Sequence, residues 1–165
     1  MVCHLFLTSN SIVPQASCNL FPVPEESLRY LDRVQPLALL AMRLTVGAIM
    51  IAHSYPKVFG GLHHYAGFIM SLGLPAWTAY LSAFVEFLGG LLVLAGLFTR
   101  AAAFAICINL CVAIWKVHLH KGLTGNGGME LPLAVATLAF ALVFFGSGPI
   151  AIDHILRGGG ASSKK

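Results

Sequence analysis

A chain of 165 residues that is 58% hydrophobic and 10% charged, with a mean hydropathy of +0.83, is too apolar for a soluble domain, in which about a quarter of residues carry charge. Its net charge of +4 and pI near 9.0 would suggest nucleic acid in a soluble protein, but its ten Lys and Arg residues cluster at the ends of apolar runs. They read as topology signals, so the expected partner is the lipid bilayer and no nucleic acid.

Residues 1–34 stand apart in composition and are expected to form an N-terminal cytoplasmic tail. Within them "PEESLRYLDRV" is a short amphipathic piece: Pro24 suits a first helical turn, and Leu28, Leu31 and Val34 are spaced to lie on a membrane surface. No basic residue precedes "CHLFL", and that run is too short for a signal-peptide core, so none is expected.

A hydrocarbon core about 30 Å thick takes roughly 20 helical residues, and four segments within residues 35–156 qualify. They run from about Pro36 to Phe59, Leu74 to Phe98, Ala101 to His118 and Glu130 to Phe145. Unpaired backbone groups are not tolerated in lipid, so these segments predict an all-α transmembrane four-helix bundle. The tail at 157–165, "RGGGASSKK", reads as disordered and basic.

With four spans, both termini fall on one side together with the Thr99-Arg100 turn. That side holds Arg29, Arg33, Arg43, Arg100, Arg157, Lys164 and Lys165, against Lys57, Lys116 and Lys121 on the other. Seven against three places both termini in the cytoplasm of a bacterial-type inner membrane.

Five elements carry a family likeness: the Arg43 of the first span, the exit "HSYPKVFG", the "EFLGG" of the second span, the "TR" turn and the loop "GNGGME". Together they resemble the DoxX family of small four-helix membrane proteins, over about Val34 to Leu156. The family takes its name from a membrane subunit linked to thiosulfate and quinone redox chemistry, and some relatives act as assembly or accessory factors. The resemblance therefore implies a small subunit of a quinone-linked or thiosulfate/thiol-linked membrane redox system, leaves the cofactor unknown with a quinone as the candidate, and offers redox-complex subunits or further copies of the chain as partners. The alternative it leaves open is a non-catalytic accessory protein that binds a partner. A small-solute carrier fits less well, because no broken helix or inverted repeat is evident.

Glu86 stands in the middle of the second span, where an ionised side chain costs about 2.5–3.5 kcal/mol on insertion scales. Ser82, Glu86, Gly89 and Gly90 share one helical face; Arg43, Gly47, Met50, Ser54 and Lys57 share another. Small residues beside each charge allow close approach, so Glu86 is expected to pair with Arg43, with Asn109 within reach as a third partner. Two roles fit: a buried ion pair that holds helix register, or a proton-exchanging acid and its cation, Glu86 and Arg43, as catalytic residues in a polar cavity.

On the third span, Asn109, Ala113, Lys116 and His120 form one stripe and Cys107, Cys111 and His118 another. Only one can face the bundle squarely; the amide and ammonium tolerate lipid worse, so the Asn109 stripe is placed inside and the cysteines are read as small apolar packing. The outward end collects His53, Tyr55, Lys57, His63, His64, Lys116, His118, His120, Lys121, Asn126 and Glu130. Their spacing makes no coherent ligand set and no C-x-x-C-H occurs, so no covalent haem or structural metal is expected. His53, Tyr55, Lys57, Asn109 and Lys116 are the candidates to bind a quinone or other substrate.

The loop "KGLTGNGGMELP" lacks the strand and spacing of a phosphate cradle and reads as a tight turn, with Glu130 capping the fourth span. In "GGLHHYAGFIMSLGLP", Phe68, Ile69 and Leu72 predict a short interfacial helix over the outer mouth of the bundle.

Overall fold

The computed structural model describes the backbone of residues 25–153 and the side chains of residues 33–153. Cys3, Cys18, the segment before Glu25 and the basic tail at 157–165 lie outside the described residues.

Five α-helices follow one another: α1 (Glu25–Gly60), α2 (Leu62–Ser71), α3 (Ala76–Ala95), α4 (Thr99–Ala113) and α5 (Glu130–Phe145). A π-helical turn, Ile114–His118, and a short 3-10 turn, Leu119–Lys121, extend α4. Among the described residues there is no strand. Three helical stretches are long and apolar enough to cross a membrane, Arg33–Gly60, Ala76–Ala95 and Thr99–Lys121, and α5 is a shorter apolar helix. The four-helix bundle expected from hydropathy is therefore present, and α5 begins and ends at the expected residues.

The first helix departs from expectation at its start. It runs unbroken for 36 residues through Pro36 and Pro56, so the stretch "EESLRYLDRV" continues into the first span. Each proline withholds one N–H from the ladder and crowds the carbonyl four residues earlier. Just before Pro56, the buried Ser54 hydroxyl donates to the carbonyls of Met50 at 2.7 Å and Ile51 at 3.1 Å, so its own polar group is spent on the helix.

The four long helices form a ring in which α1 packs on α3, α3 on α4, α4 on α5, and α5 closes back on α1. Small residues are frequent inside, with Ala83, Gly89, Gly90, Ala102, Ala103, Ala136 and Ala139 all buried beside Val46, Ile106, Leu110 and Leu142. Other large ones point out, among them Leu44, Phe84, Leu88, Phe104, Ile108, Phe140 and Phe144. A soluble bundle does the reverse; in lipid the apolar exterior is solvated by acyl chains and the interior gains by close packing. At Gly47 a Cβ would stand 2.9 Å from the Gly90 carbonyl oxygen, and at Gly90 one would stand 3.0 Å from the Met50 Cβ. These glycines set the distance between α1 and α3.

The short helix α2 packs Ala66 and Ile69 on Ala79 of α3, flanked by Tyr65, Leu72 and Tyr80. The helix predicted from Phe68, Ile69 and Leu72 thus exists, beginning several residues earlier. The glycine-rich loop before α5 uses positive φ at Gly125 (110°) and Gly127 (82°), as a tight turn requires. Glu130 does not cap α5. Met129 holds the cap position without a side-chain bond, and the Met129 and Glu130 amides donate to the carbonyls of Gly122 and Leu123. Glu130 is exposed and borders the cavity described below.

At the opposite end the chain turns back beneath the bundle after α5. Asp153 accepts from the Phe98 amide at 3.1 Å and the Thr99 amide at 3.3 Å, supplying the cap that α4 otherwise lacks. Its own amide donates to the Gly96 carbonyl, so the returning segment is pinned to the α3–α4 turn.

Candidate functional site

The carboxylate of Glu86 is buried at the meeting of α1, α3 and α4. Its Oε2 accepts from Lys57 Nζ at 2.5 Å, and its Oε1 accepts from Asn109 Nδ2 at 3.1 Å and Ser82 Oγ at 3.4 Å. Tyr65 of α2 extends the network, its hydroxyl 3.3 Å from Ser82 Oγ. The Lys57 ammonium also lies 5.0 Å from the centre of the Tyr65 ring, a cation–π contact.

The expected Arg43–Glu86 pair does not form. Gly47 meets Gly90 where α1 crosses α3; Arg43 lies one turn to one side of that contact and Glu86 one turn to the other, about 12 Å apart along the axes. Helical side chains lean toward the N-terminus of their own helix. The chains run antiparallel here, so Arg43 and Glu86 lean away from each other, whereas Lys57, higher on α1, leans toward Glu86. The direction of lean, more than depth, selects the partner. Asn109 does join the carboxylate as expected.

Arg43 is spent elsewhere. Its Nε donates to Val93 O at 3.1 Å, Nη2 to Leu94 O at 3.1 Å, and Nη1 to Ser147 O at 3.0 Å and Ile150 O at 2.6 Å. One guanidinium thereby bonds carbonyls at the end of α3 and in the irregular segment after α5, sharing Val93 O with the Gly96 amide. Gly96 makes room for it: φ is +74°, and a Cβ there would lie 2.2 Å from Arg43 Nη2.

A cavity of about 370 Å³ opens beside Glu86. Lys57, Glu86, His53, His118 and Glu130 supply its polar wall, and Ile49, Met50, Leu110, Leu131 and Val135 supply the apolar one. His118 Nδ1 donates to the Gly127 carbonyl at 2.7 Å, which orients the ring toward the loop. The two stripes of the third span are thus both used. Asn109 reaches Glu86 from one, and His118 reaches the cavity from the other, where the α-helix has given way to the π turn.

Of the remaining candidates, Tyr55 is 59% exposed and stacks on Phe59 at 4.9 Å, away from the cavity. Lys116 lies over the neighbouring Trp115 ring at 4.7 Å and borders a second groove. His63, His64 and His120 are exposed. Among the described residues, no three His, Cys, Asp or Glu side chains come together as a metal site. Cys107 and Cys111 are free thiols. Tyr65 was not singled out from sequence: nothing near it in the chain signals that α2 folds back over Lys57.

A helical bundle with bulky apolar side chains on its outside and three helices long and apolar enough to span lipid has the architecture of a polytopic membrane protein. The chain belongs to the DoxX family, whose sequence profile matches residues 38–119. It is 34% identical over 114 residues to "Putative oxidoreductase CatD" of Bacillus subtilis, covering 69% of this chain and 83% of that one. It is 30% identical over 129 residues to an uncharacterized protein of Haemophilus influenzae, covering 75% and 94% respectively. No solved structure matches it significantly.

Proposed function

We propose that this protein is a small subunit of a membrane redox system, in which Glu86 exchanges protons with a substrate bound in the adjoining cavity. The observation that carries the reading is that the Lys57–Glu86 pair borders an open space of about 370 Å³ instead of being sealed between helices. A pair kept only for helix register has no need of such a space, whose volume falls in the roughly 300–1,000 Å³ range of small-molecule sites. The name of the Bacillus subtilis relative, an oxidoreductase, supports the same class. The residues present suit a planar ring bearing carbonyl oxygens, such as a quinone. Lys57 and His53 can donate to an oxygen, Ile49, Met50 and Val135 offer apolar walls, and Glu86 can hold or release a proton at Oε2 beside Lys57. Bound there, a quinone supplies the two-electron acceptor, and a thiol or thiosulfate is the donor class in this reading.

The test is turnover by the purified protein in nanodiscs, measured as quinone-dependent oxidation of thiosulfate or a small thiol. Glu86→Gln, which keeps the shape and loses the exchangeable proton, should lower the rate by about 100-fold or more while the protein stays folded. Absence of turnover together with a reproducible co-purifying partner would instead establish the accessory-protein reading.

In the same reading both termini are cytoplasmic and the cavity faces outward, following the basic residues. Alkaline phosphatase fused after Lys165 should be inactive, and phosphatase inserted in the Gly122–Gly128 loop active. The reverse pattern would invert the topology.

A further inference from the structure

The hydrogen-bond partners of the two Glu86 oxygens line different spaces. Lys57, the partner of Oε2, borders the cavity already described; Ser82 and Asn109, the partners of Oε1, border a second groove of about 370 Å³ between α3 and α4. Tyr65 and Ile69 of α2 border one end of this groove. Leu81, Ile108 and Val112 on its walls are exposed, so it opens on the surface that faces lipid. The side chains Tyr65, Ser82, Glu86 and Lys57 form one continuous hydrogen-bonded file from the groove to the cavity.

A groove that merely receives acyl chains gains nothing from an amide, a hydroxyl and an ammonium on its wall, since polar groups are costly in hydrocarbon. Asn109 makes one side-chain hydrogen bond among the described residues, to Glu86. An amide has two N–H donors and a carbonyl acceptor, so most of its capacity is unspent. Lys116 makes no hydrogen bond or ion pair among the described residues, and it borders the same groove.

We infer that the α3–α4 groove is a second mouth of the Glu86 site, taking from the membrane a single-chain molecule whose head carries a hydrogen-bond acceptor. The chain lies along Leu81, Ile108 and Val112, and the head accepts from the Asn109 N–H that Glu86 does not use. The site then has two approaches, one through the cavity and one from the membrane, joined by one carboxylate. This rests on the preceding reading only for calling the occupant a reactant; occupancy itself is independent of turnover.

The chain has two tryptophans, and Trp77 borders the groove. In Trp115→Phe protein held in nanodiscs, Trp77 fluorescence is titrated with a brominated methyl ketone of dodecyl length and with the bromoalkane of equal length. The ketone should quench saturably and more tightly than the alkane. Asn109→Leu should weaken ketone binding about three- to tenfold, the effect of one lost hydrogen bond. Ala105→Phe, which fills the groove without touching the Glu86 network, should abolish saturable quenching while circular dichroism stays native. Equal, unsaturable quenching by both probes would overturn the inference, as would unaltered binding in a folded Asn109→Leu protein. Saturable ketone binding in a protein without turnover would uphold the groove and sink the redox reading alone.

Discussion

Lys57→Met should destabilise the bundle by about 2 kcal/mol, because it leaves the Glu86 carboxylate buried with only Asn109 and Ser82 as donors. The loss falls below the roughly 3–5 kcal/mol of a fully buried pair because the Lys57 side chain retains 25% of its exposure. Adding Glu86→Leu removes the stranded charge, and the double variant should recover to within about 1 kcal/mol of the starting protein. Reversible unfolding in mixed detergent, followed by circular dichroism, measures all three. A Lys57→Met protein as stable as the original would mean that the pair contributes nothing to folding. Combining Glu86→Leu with Arg43→Met should show no such recovery: the two sites share no partner, and their effects should add within about 0.5 kcal/mol.

The larger effect is expected at Arg43 itself. Arg43→Met removes four hydrogen bonds at once: the carbonyls of Leu94, Ser147 and Ile150 lose their side-chain donor, and Val93 O keeps only the Gly96 amide. Charged hydrogen bonds contribute about 1.5–3 kcal/mol each but not additively, so a loss of about 4 kcal/mol is expected in the same unfolding assay. Arg43→Lys should recover less than half of it. An ammonium keeps the charge but has no planar fork with which to bridge the end of α3 and the returning segment. A lysine variant as stable as the original would show that charge, and not the fork, is what this position requires.

Much of this architecture was legible in composition and periodicity. The spans announce themselves because lipid admits few backbone solutions, and α5 is bounded by Pro132 near its start and Gly146 after its end. Glu86 stood out for the same reason: a carboxylate inside an apolar run demands a partner. Which partner was not legible, because spacing along one helix reports the face and depth of a side chain, whereas pairing between antiparallel helices depends on which way each side chain leans. Asp153 illustrates the second limit. It caps a helix that begins 54 residues earlier, and no local pattern around it reveals that the chain returns to that place. Tyr65 was missed likewise, since its contact with Ser82 exists only once α2 lies over α3.

The reach of the Arg43 guanidinium also sets an order of events during synthesis. Two of its four acceptors, on Ser147 and Ile150, are 104 and 107 residues downstream. At about 5–20 residues per second, the ribosome completes them on the order of 5 to 20 s after Arg43 has been made. For that interval the first helix carries a cation whose final partners do not yet exist, and it must be accommodated by water, headgroup phosphates or the insertion machinery. A segment made late therefore locks the first helix in place, and a nascent chain halted before Ser147 should hold α1 less firmly than one extended past Ile150.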